Sequence, residues 1–203
     1  MGKYARSDYS IPPAFYFRRP RAYIRQMSST TDIEMMQRLC EGRDTALRDI
    51  IERHRERLFL LAHRLLDDRD DACDAVQETF IRLWKNARRY NPSQSLSTWL
   101  CTICARRCYD ELRRRRRHRN TLALINVGTI HPDDMSANEL IDLLHLAVAD
   151  LPPKQRVVYQ LREIEDLDTD AVAAATRMST DQVKANLCVA RQKVREKLKH
   201  YGI

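Results

Sequence analysis

The sequence predicts an all-α protein made of two small helical domains joined by a flexible linker. Three observations carry that prediction. Glycine is scarce, with four in 203 residues, and Arg, Leu and Ala are the commonest residues, a composition that favours helices. Apolar residues recur at steps of three and four along most of the chain, the period of a helix with one buried face. Residues 119–136 (RNTLALINVGTIHPDDMS) lose that period and carry Gly128 and Pro132, which marks a linker.

The totals narrow the function. A net charge of +8 and a pI near 9.4 point to a polyanionic partner. Nucleic acid fits better than membrane, because no basic amphipathic anchor dominates. No run approaches the roughly 18 apolar residues of a membrane span, and Arg18, Arg19 and Arg21 are not followed by the apolar run of a secretory signal. We therefore expect a cytoplasmic protein without membrane insertion. Of the six cysteines, Cys101, Cys104 and Cys108 fall in one predicted helix. Their side chains would line a face rather than meet in pairs, so reduced thiols are expected.

Taken in order, residues 1–26 hold Lys3, Arg6, Arg18, Arg19, Arg21 and Arg25 against Asp8 alone, with three prolines and no helical period. They read as a disordered basic arm. Met27 opens MSSTTDIEMMQRL, where Ser28 to Asp32 supply cap residues for a helix. Translation is expected to begin at Met27, which the intact mass of the natively expressed protein tests. The first domain is then residues 27–118. From Thr45 to Leu66 a core stripe runs through Leu47, Ile51, His54, Leu58, Leu61 and Leu65, and His54 within it reads as a packed core histidine rather than a ligand. Asp67, Asp68, Asp70 and Asp71 lack the central glycine and alternate ligands of a calcium loop. They read as turn and helix-start residues favoured by the helix dipole.

The stretch DACDAVQETFIRLW, Asp71 to Trp84, places Val76, Phe80 and Leu83 on a core face. Asp74, Gln77, Glu78 and Ile81 form a neighbouring stripe that periodicity alone reads as solvated. RRYNPSQS follows, where Asn91-Pro92 and the serines break the helix. A second helix starts near Leu96 with Trp99, Leu100, Ile103, Cys104, Cys108 and Leu112 as its buried side, then runs into Arg113 to Arg117, His118 and Arg119. No core could hold that block, so it is a solvated helix end or a phosphate contact. A zinc site on Cys101, Cys104 and Cys108 would need a fourth ligand such as His63 or His118, and no metal or other cofactor is expected.

The second domain, residues 137–203, starts with a helix from Ala137 to Leu151 that buries Leu140, Leu143, Leu144 and Ala147 and ends at Pro152-Pro153. Another helix, Lys154 to Glu165, turns Val157, Val158, Leu161 and Ile164 inward. Asp168 or Thr169 caps a short helix through Ala175, Thr176 to Met178 form a tight turn, and Ser179 caps a longer helix burying Val183, Leu187, Ala190, Val194 and Leu198. The pattern fits a helix-turn-helix, or an ordinary helical hairpin. Its outer side would offer Thr180, Gln182, Lys184, Asn186 and Arg191; Gln and Asn suit adenine edges, Arg suits guanine or phosphate.

At these motifs the chain resembles the bacterial sigma factors of the extracytoplasmic-function class, in the sigma-70 family, from about Asp32 to Leu198. DACDAVQETFIRLW is similar to the D-A-E-D-x-x-Q-E-x-F-x-R-L-W helix of the family's second region. LSTWLCTICARRCYDELRRR is similar to its F-x-x-W-L-x-x-I-A-R-N-x-x-x-D-x-L-R-R continuation. LPPKQRVVYQLREIEDL resembles the L-P-x-x-Q-R-x-V-x-x-L opening of the fourth region.

The resemblance implies that Asp71, Asp74, Gln77, Glu78 and Ile81 dock on the beta-prime clamp helices of core RNA polymerase, with the beta flap as a further contact. It assigns Arg88, Arg89, Tyr90, Asn91, Ser95, Trp99, Arg106, Arg107, Arg113 and Arg114 to the minus-ten promoter element. It assigns the helix-turn-helix residues Thr180, Gln182, Lys184, Asn186 and Arg191 to the minus-thirty-five element. It also implies an anti-sigma partner. Departures occur at Cys73, where the family has glutamate, at Cys104-Ala105-Arg106, where it has A-R-N, and at Asn186 and Val189, near which it usually has arginines. Promoter preference therefore does not carry over.

Two rival readings stand beside this one: a stand-alone helix-turn-helix regulator, and a metal or thiol redox sensor built on the cysteines. The sequence holds no nucleophile–base motif and no phosphate loop, so no catalytic residues are expected.

Overall fold

The computed structural model describes residues 30–119 and 137–200, and the expectations for the amino-terminal arm, the start at Met27 and the linker lie outside them. Eight α-helices form in the described residues: α1 Thr30–Cys40, α2 Asp44–Leu66, α3 Arg69–Asn86, α4 Leu96–Arg119, α5 Ala137–Ala149, α6 Pro153–Tyr159, α7 Thr169–Thr176 and α8 Thr180–His200. No strand is present among them.

Local chemistry sets the boundaries. Gly42, at φ +83, supplies the left-handed turn between α1 and α2. Asp67 ends α2 in the left-handed conformation with its amide bonded to the His63 carbonyl, and the Asp68 carboxylate accepts the Asp71 amide at 2.9 Å to start α3. The acid cluster is thus a C-cap followed by an N-cap, as its turn composition predicts. Asp168 caps α7 through the Ala171 amide at 2.7 Å, the first of the two capping choices.

In the first body α2, α3 and α4 pack on one another and α1 lies on α2. Leu58, Leu61, Leu65, Val76, Phe80, Leu83, Leu100 and Leu112 are buried as read from the periodicity. The α2 stripe is rotated from the expectation: Ala46 and Ile50 are fully buried, whereas Leu47 and Ile51 are only partly so. In α4 the same shift buries Cys101, Ala105 and Tyr109 and leaves Trp99 and Ile103 half-buried. Steps of three and four fix a helix face only to within one residue.

His54 is a core residue as expected, and its Nε2 lies 3.8 Å from Oδ1 of Asp32, which is 1% exposed. Arg53 completes that site with a 2.8 Å bond to Asp32. Burial opposes ionisation of Asp32, but the contacts from His54 and Arg53 outweigh it and hold its pKa below the ordinary carboxylate value.

In the second body α6 and α5 both lie on α8, and α7 packs against α8. The predicted single helix from Lys154 to Glu165 is instead α6 followed by a π-helical turn, Gln160–Ile164. The extra residue per turn rotates the face, so Ile164 is only half-buried and Glu165 is 4% exposed. The two bodies also share a core. Val157, Val158, Leu161, Leu167 and Val172 join the apolar cluster that holds Leu58, Leu100 and Cys104, with α6 and α7 lying on α4. Sequence periodicity showed that these faces were apolar, but not that they would meet each other.

Candidate functional site

Three surfaces gather the residues singled out from the sequence. On α3, Asp74 and Gln77 are exposed, Glu78 is half-exposed, and Ile81 is 45% exposed. Glu78 pairs with Arg82 at 2.8 Å along the helix, a bond that lowers its pKa. Asp71, at the root of the stripe, is also engaged. Its carboxylate takes the Arg115 guanidinium, which also donates to the Leu66 carbonyl at 2.6 Å. Trp84, 56% exposed, extends the stripe one step past Ile81. Sequence reasoning missed Trp84, although its i+3 spacing from Ile81 and the closing R-L-W of the motif signalled it. A tryptophan and an isoleucine exposed side by side among acids suit a protein partner better than water.

The second surface is the segment between α3 and α4. A 3-10 turn, Ala87–Arg89, carries Arg88 and Arg89 into solvent. Tyr90 then donates its hydroxyl to the Gln94 carbonyl at 2.8 Å, and Asn91 accepts the Ser93 amide at 3.0 Å in a side-chain turn. Ser95 starts α4 by accepting the Thr98 amide at 3.0 Å. The Tyr90 and Trp99 rings lie 5.5 Å apart at 44°, both half-buried. The structure thus sets Tyr90 against Trp99, in the segment that also carries Asn91 and Ser95.

The arginines of α4 divide into distinct environments. Arg113 lies over the Tyr109 ring at 5.7 Å. Arg114 holds Glu111 at 2.7 Å, a bond that lowers the Glu111 pKa, and Arg107 approaches the same acid at 3.6 Å. Arg106 donates to the Ala174 carbonyl of α7, and burial together with the nearby Arg177 cation lowers its pKa. The expectation that the whole block is free of the fold is corrected at Arg115, which ties α4 to the start of α3.

The third surface is the α7–turn–α8 unit. Arg177 makes the turn in the left-handed conformation at φ 57. Ser179 accepts the Gln182 amide at 3.2 Å and Gln182 returns a bond to the Ser179 amide at 3.1 Å, a reciprocal capping box. Lys184 is exposed, Thr180 is half-exposed, and Asn186 is occupied with the Gln182 carbonyl at 2.7 Å. Arg191 is held by Glu163 at 2.7 Å. Three of the five proposed readers are thus already hydrogen-bonded within the second body.

The thiols of α4 are all fully buried. Burial pushes Cys101 up to about 12, and the Cys108 thiol beside Cys104 raises the latter well above its ordinary value. Cys104 Sγ lies 3.8 Å from the Leu58 carbonyl, as a small core residue would. Among the described residues no group of three or more His, Cys, Asp or Glu is placed to hold a metal ion.

These surfaces define a class: an all-helical protein of two bodies, the second built on a helix-turn-helix. Comparison with known families goes further. Residues 50–118 match Sigma-70 region 2 and residues 141–194 match Sigma-70, region 4. The chain belongs to the sigma-70 family, in its extracytoplasmic-function class. It is 28% identical to the ECF RNA polymerase sigma factor SigE of Mycolicibacterium smegmatis over 74% of this chain and 60% of that protein. It is 23% identical to ECF RNA polymerase sigma factor SigW of Bacillus subtilis over 78% of this chain and 92% of that protein. Among solved structures, the sigma factor RpoE in complex with the anti-sigma factor NepR from Bartonella quintana superimposes with a TM-score of 0.58 at 25% identity, over 75% of this chain and 96% of that one. CnrH in complex with the cytosolic domain of CnrY shares the fold at a TM-score of 0.59 and 19% identity, over 84% of this chain and 98% of that one.

Proposed function

We propose that this chain is a promoter-specificity subunit: it binds core RNA polymerase, recognises promoter DNA and helps to open it, while the polymerase makes the bonds. The observation that carries the reading is the pair of family matches in order, residues 50–118 and 141–194, on a chain that exposes an acidic–apolar stripe on one helix and arginines on the next. In this reading residues 27–118 form the polymerase and minus-ten domain, and residues 137–203 the minus-thirty-five domain. Asp74, Gln77, Glu78, Ile81 and Trp84 dock on the beta-prime clamp helices. Asp71 positions that stripe through Arg115, and the second domain meets the beta flap.

The Tyr90–Trp99 pair, flanked by Arg88, Arg89 and the α4 arginines, receives the displaced strand. Extruding a base costs about a few kcal/mol, which stacking and phosphate contacts offset. The helix-turn-helix takes the minus-thirty-five duplex in its major groove through Lys184, Thr180 and the groups around them. The protein performs no catalysis and works in the cytoplasm; among the described residues no helix is long and apolar enough to cross a membrane. A protein inhibitor of the anti-sigma kind is a further partner, by analogy with the RpoE–NepR complex.

The deciding experiment adds the purified chain to core polymerase with fragmented genomic DNA and maps transcript starts. Initiation at discrete sites is expected. Random initiation, with the chain binding DNA but never migrating with the polymerase, would support the stand-alone regulator instead. The redox-sensor alternative is disfavoured by the burial and raised pKa of the α4 thiols.

A further inference from the structure

On its side away from the core, α8 carries an apolar patch where a reader of base edges would ordinarily carry polar groups. Val183, Leu187, Ala190 and Val194 turn inward. Ala185, Cys188 and Val189 are all exposed. Steps of three and four make these side chains neighbours on the helix surface, and cysteine counts there as a small apolar residue. Val189 is 41% exposed, and among the described residues it is the one large apolar side chain that the α7–turn–α8 unit leaves in water. Apolar residues scattered singly need no explanation, but these adjoin, in the first half of the helix that enters the groove.

The polar groups around the patch are already engaged. Gln182 accepts the Ser179 amide at 3.1 Å, Asn186 donates to the Gln182 carbonyl at 2.7 Å, and Gln192 donates to Glu196 at 2.9 Å. Arg191 is held by Glu163 at 2.7 Å. A base edge read by hydrogen bonds must compete with these bonds, so the net gain is small. The apolar patch has no such bonds to exchange.

Its surroundings point to the occupant. The groove beside Cys188 is lined by Lys184, Arg191, Arg195 and Lys199 against Glu196. An apolar patch rimmed by cations suits an anionic surface that carries apolar points. Duplex DNA is such a surface, with phosphates along its edges and thymine methyls in its major groove. An apolar protein face would leave those cations without a counter-charge.

We propose that Val189, with Ala185 and Cys188 beside it, is a specificity-determining residue that reads a thymine by its C5-methyl group in the minus-thirty-five duplex. The proposal rests on the promoter-binding function given above and extends it from a surface to a base identity. Thymine alone of the four bases carries that methyl. Closing the two apolar surfaces on each other removes both from water, and the gain is lost when either is deleted. The recognised pair is therefore A·T with thymine on one particular strand.

The test replaces thymine by deoxyuridine, which keeps every pairing group and removes only the methyl. Holoenzyme assembled from core polymerase and the full chain supplies mapped transcript starts, and the duplexes upstream of them are the probes. Duplexes selected from a random library by the full chain alone form a second set. Each thymine is changed singly. Wild type is expected to lose about fourfold in affinity at a single thymine or an adjacent pair, the effect of one buried methyl group. Val189→Ala should bind the thymine duplex more weakly and should no longer distinguish it from the deoxyuridine one. Val189→Thr, which keeps one methyl, should retain part of the discrimination. Val189→Arg should shift the preferred pair at that position to G·C.

Deoxyuridine tolerated by wild type at every thymine, or a penalty unchanged in Val189→Ala, overturns the proposal. Loss of core polymerase binding by Val189→Ala with DNA affinity intact also overturns it and makes the patch a protein contact. If Val189→Ala loses helix content by circular dichroism, Val189→Thr and Val189→Arg decide. Discrete initiation without any methyl effect sinks the methyl reading and keeps the sigma reading. A methyl effect in the chain-selected duplexes, without initiation by holoenzyme, does the reverse. If neither form yields a preferred sequence, the proposal fails as well.

Discussion

Arg115 on α4 closes on Asp71 at the first turn of α3, and the same guanidinium caps the end of α2 by bonding the Leu66 carbonyl. One side chain thereby fixes three helices of the first body at the root of the acidic stripe. The consequence is a division of labour between two acids three residues apart: Asp71 is committed to the fold, and Asp74 stands in solvent.

That division can be measured. Asp74→Arg and Trp84→Ala are each expected to weaken core polymerase binding by about 2 kcal/mol, roughly thirtyfold in Kd, because they strike exposed groups at the centre of a docking stripe. Asp71→Asn should lower thermal stability by about 1 kcal/mol, as a partly exposed ion pair does, and change Kd far less. Equal losses of affinity at Asp71 and Asp74, without a stability change, would contradict the assignment.

The salt dependence of DNA binding distinguishes the arginines. Replacing Arg113 and Arg114 by alanine should reduce the slope of log K against log salt by about 0.9 for each phosphate that is no longer neutralised. Arg115→Ala should act on the melting temperature instead. An unchanged slope in the Arg113/Arg114 variant would make those residues merely solvated.

Trp99→Ala should impair strand opening while duplex binding by the helix-turn-helix is preserved. Stacking on an aromatic side chain is worth about 1–3 kcal/mol per base, so opening, followed by a fluorescent base analogue in the minus-ten element, should fall at least about fivefold. Wild-type opening by Trp99→Ala would reduce the Tyr90–Trp99 pair to packing.

Closure of the two bodies should weaken in mild acid. His145 on α5 is half-buried, and burial, then Arg64, lowers its pKa from the ordinary 6.5; Arg156 and His63 act in the same direction and Asp67 opposes them. Because the closed form binds that proton less well than the open form, its stability is complete above about pH 6.5 and is lost as pH falls through the depressed value. In a Cys73→Ser background, the distance between spin labels at the exposed Cys40 and Cys188 should lengthen over that window, and His145→Gln should remove the dependence. A distance independent of pH in the wild type would exclude His145 as its source.

Thiol reactivity provides a direct check on the core. Under native conditions a maleimide reagent should modify Cys40 and Cys188 within minutes and Cys73 more slowly, leaving Cys101, Cys104 and Cys108 until unfolding, as intact mass will show. The cause is exposure together with the thiolate fraction, which burial suppresses. Rapid modification of any α4 thiol would mean that the core breathes.

Much of this molecule was legible because its signals are local. Ser179 caps α8 as expected, Asp168 rather than Thr169 caps α7, Asp68 is the cap within the acid cluster expected to start α3, and the faces of α3 and α8 carry Val76, Phe80, Leu83, Val183 and Leu187 inward as their spacing requires. Errors arose where spacing underdetermines rotation, as with Leu47 and Trp99, or where the helix itself changes pitch, as at Ile164. Trp84 was passed over because an apolar residue at helical spacing is ordinarily assigned to a core, and only its 56% exposure separates it from Leu83.

Composition, period and two long motifs determined by themselves that this chain is helical, bipartite, basic and of the sigma-70 kind, because caps and amphipathic faces are encoded within a few residues. Tertiary structure alone decided that Arg115 meets Asp71 across 44 positions and that Glu165 meets Arg57 across 108. Such pairs form only when separate helices dock, and nothing in the spacing of either residue records which partner will be there.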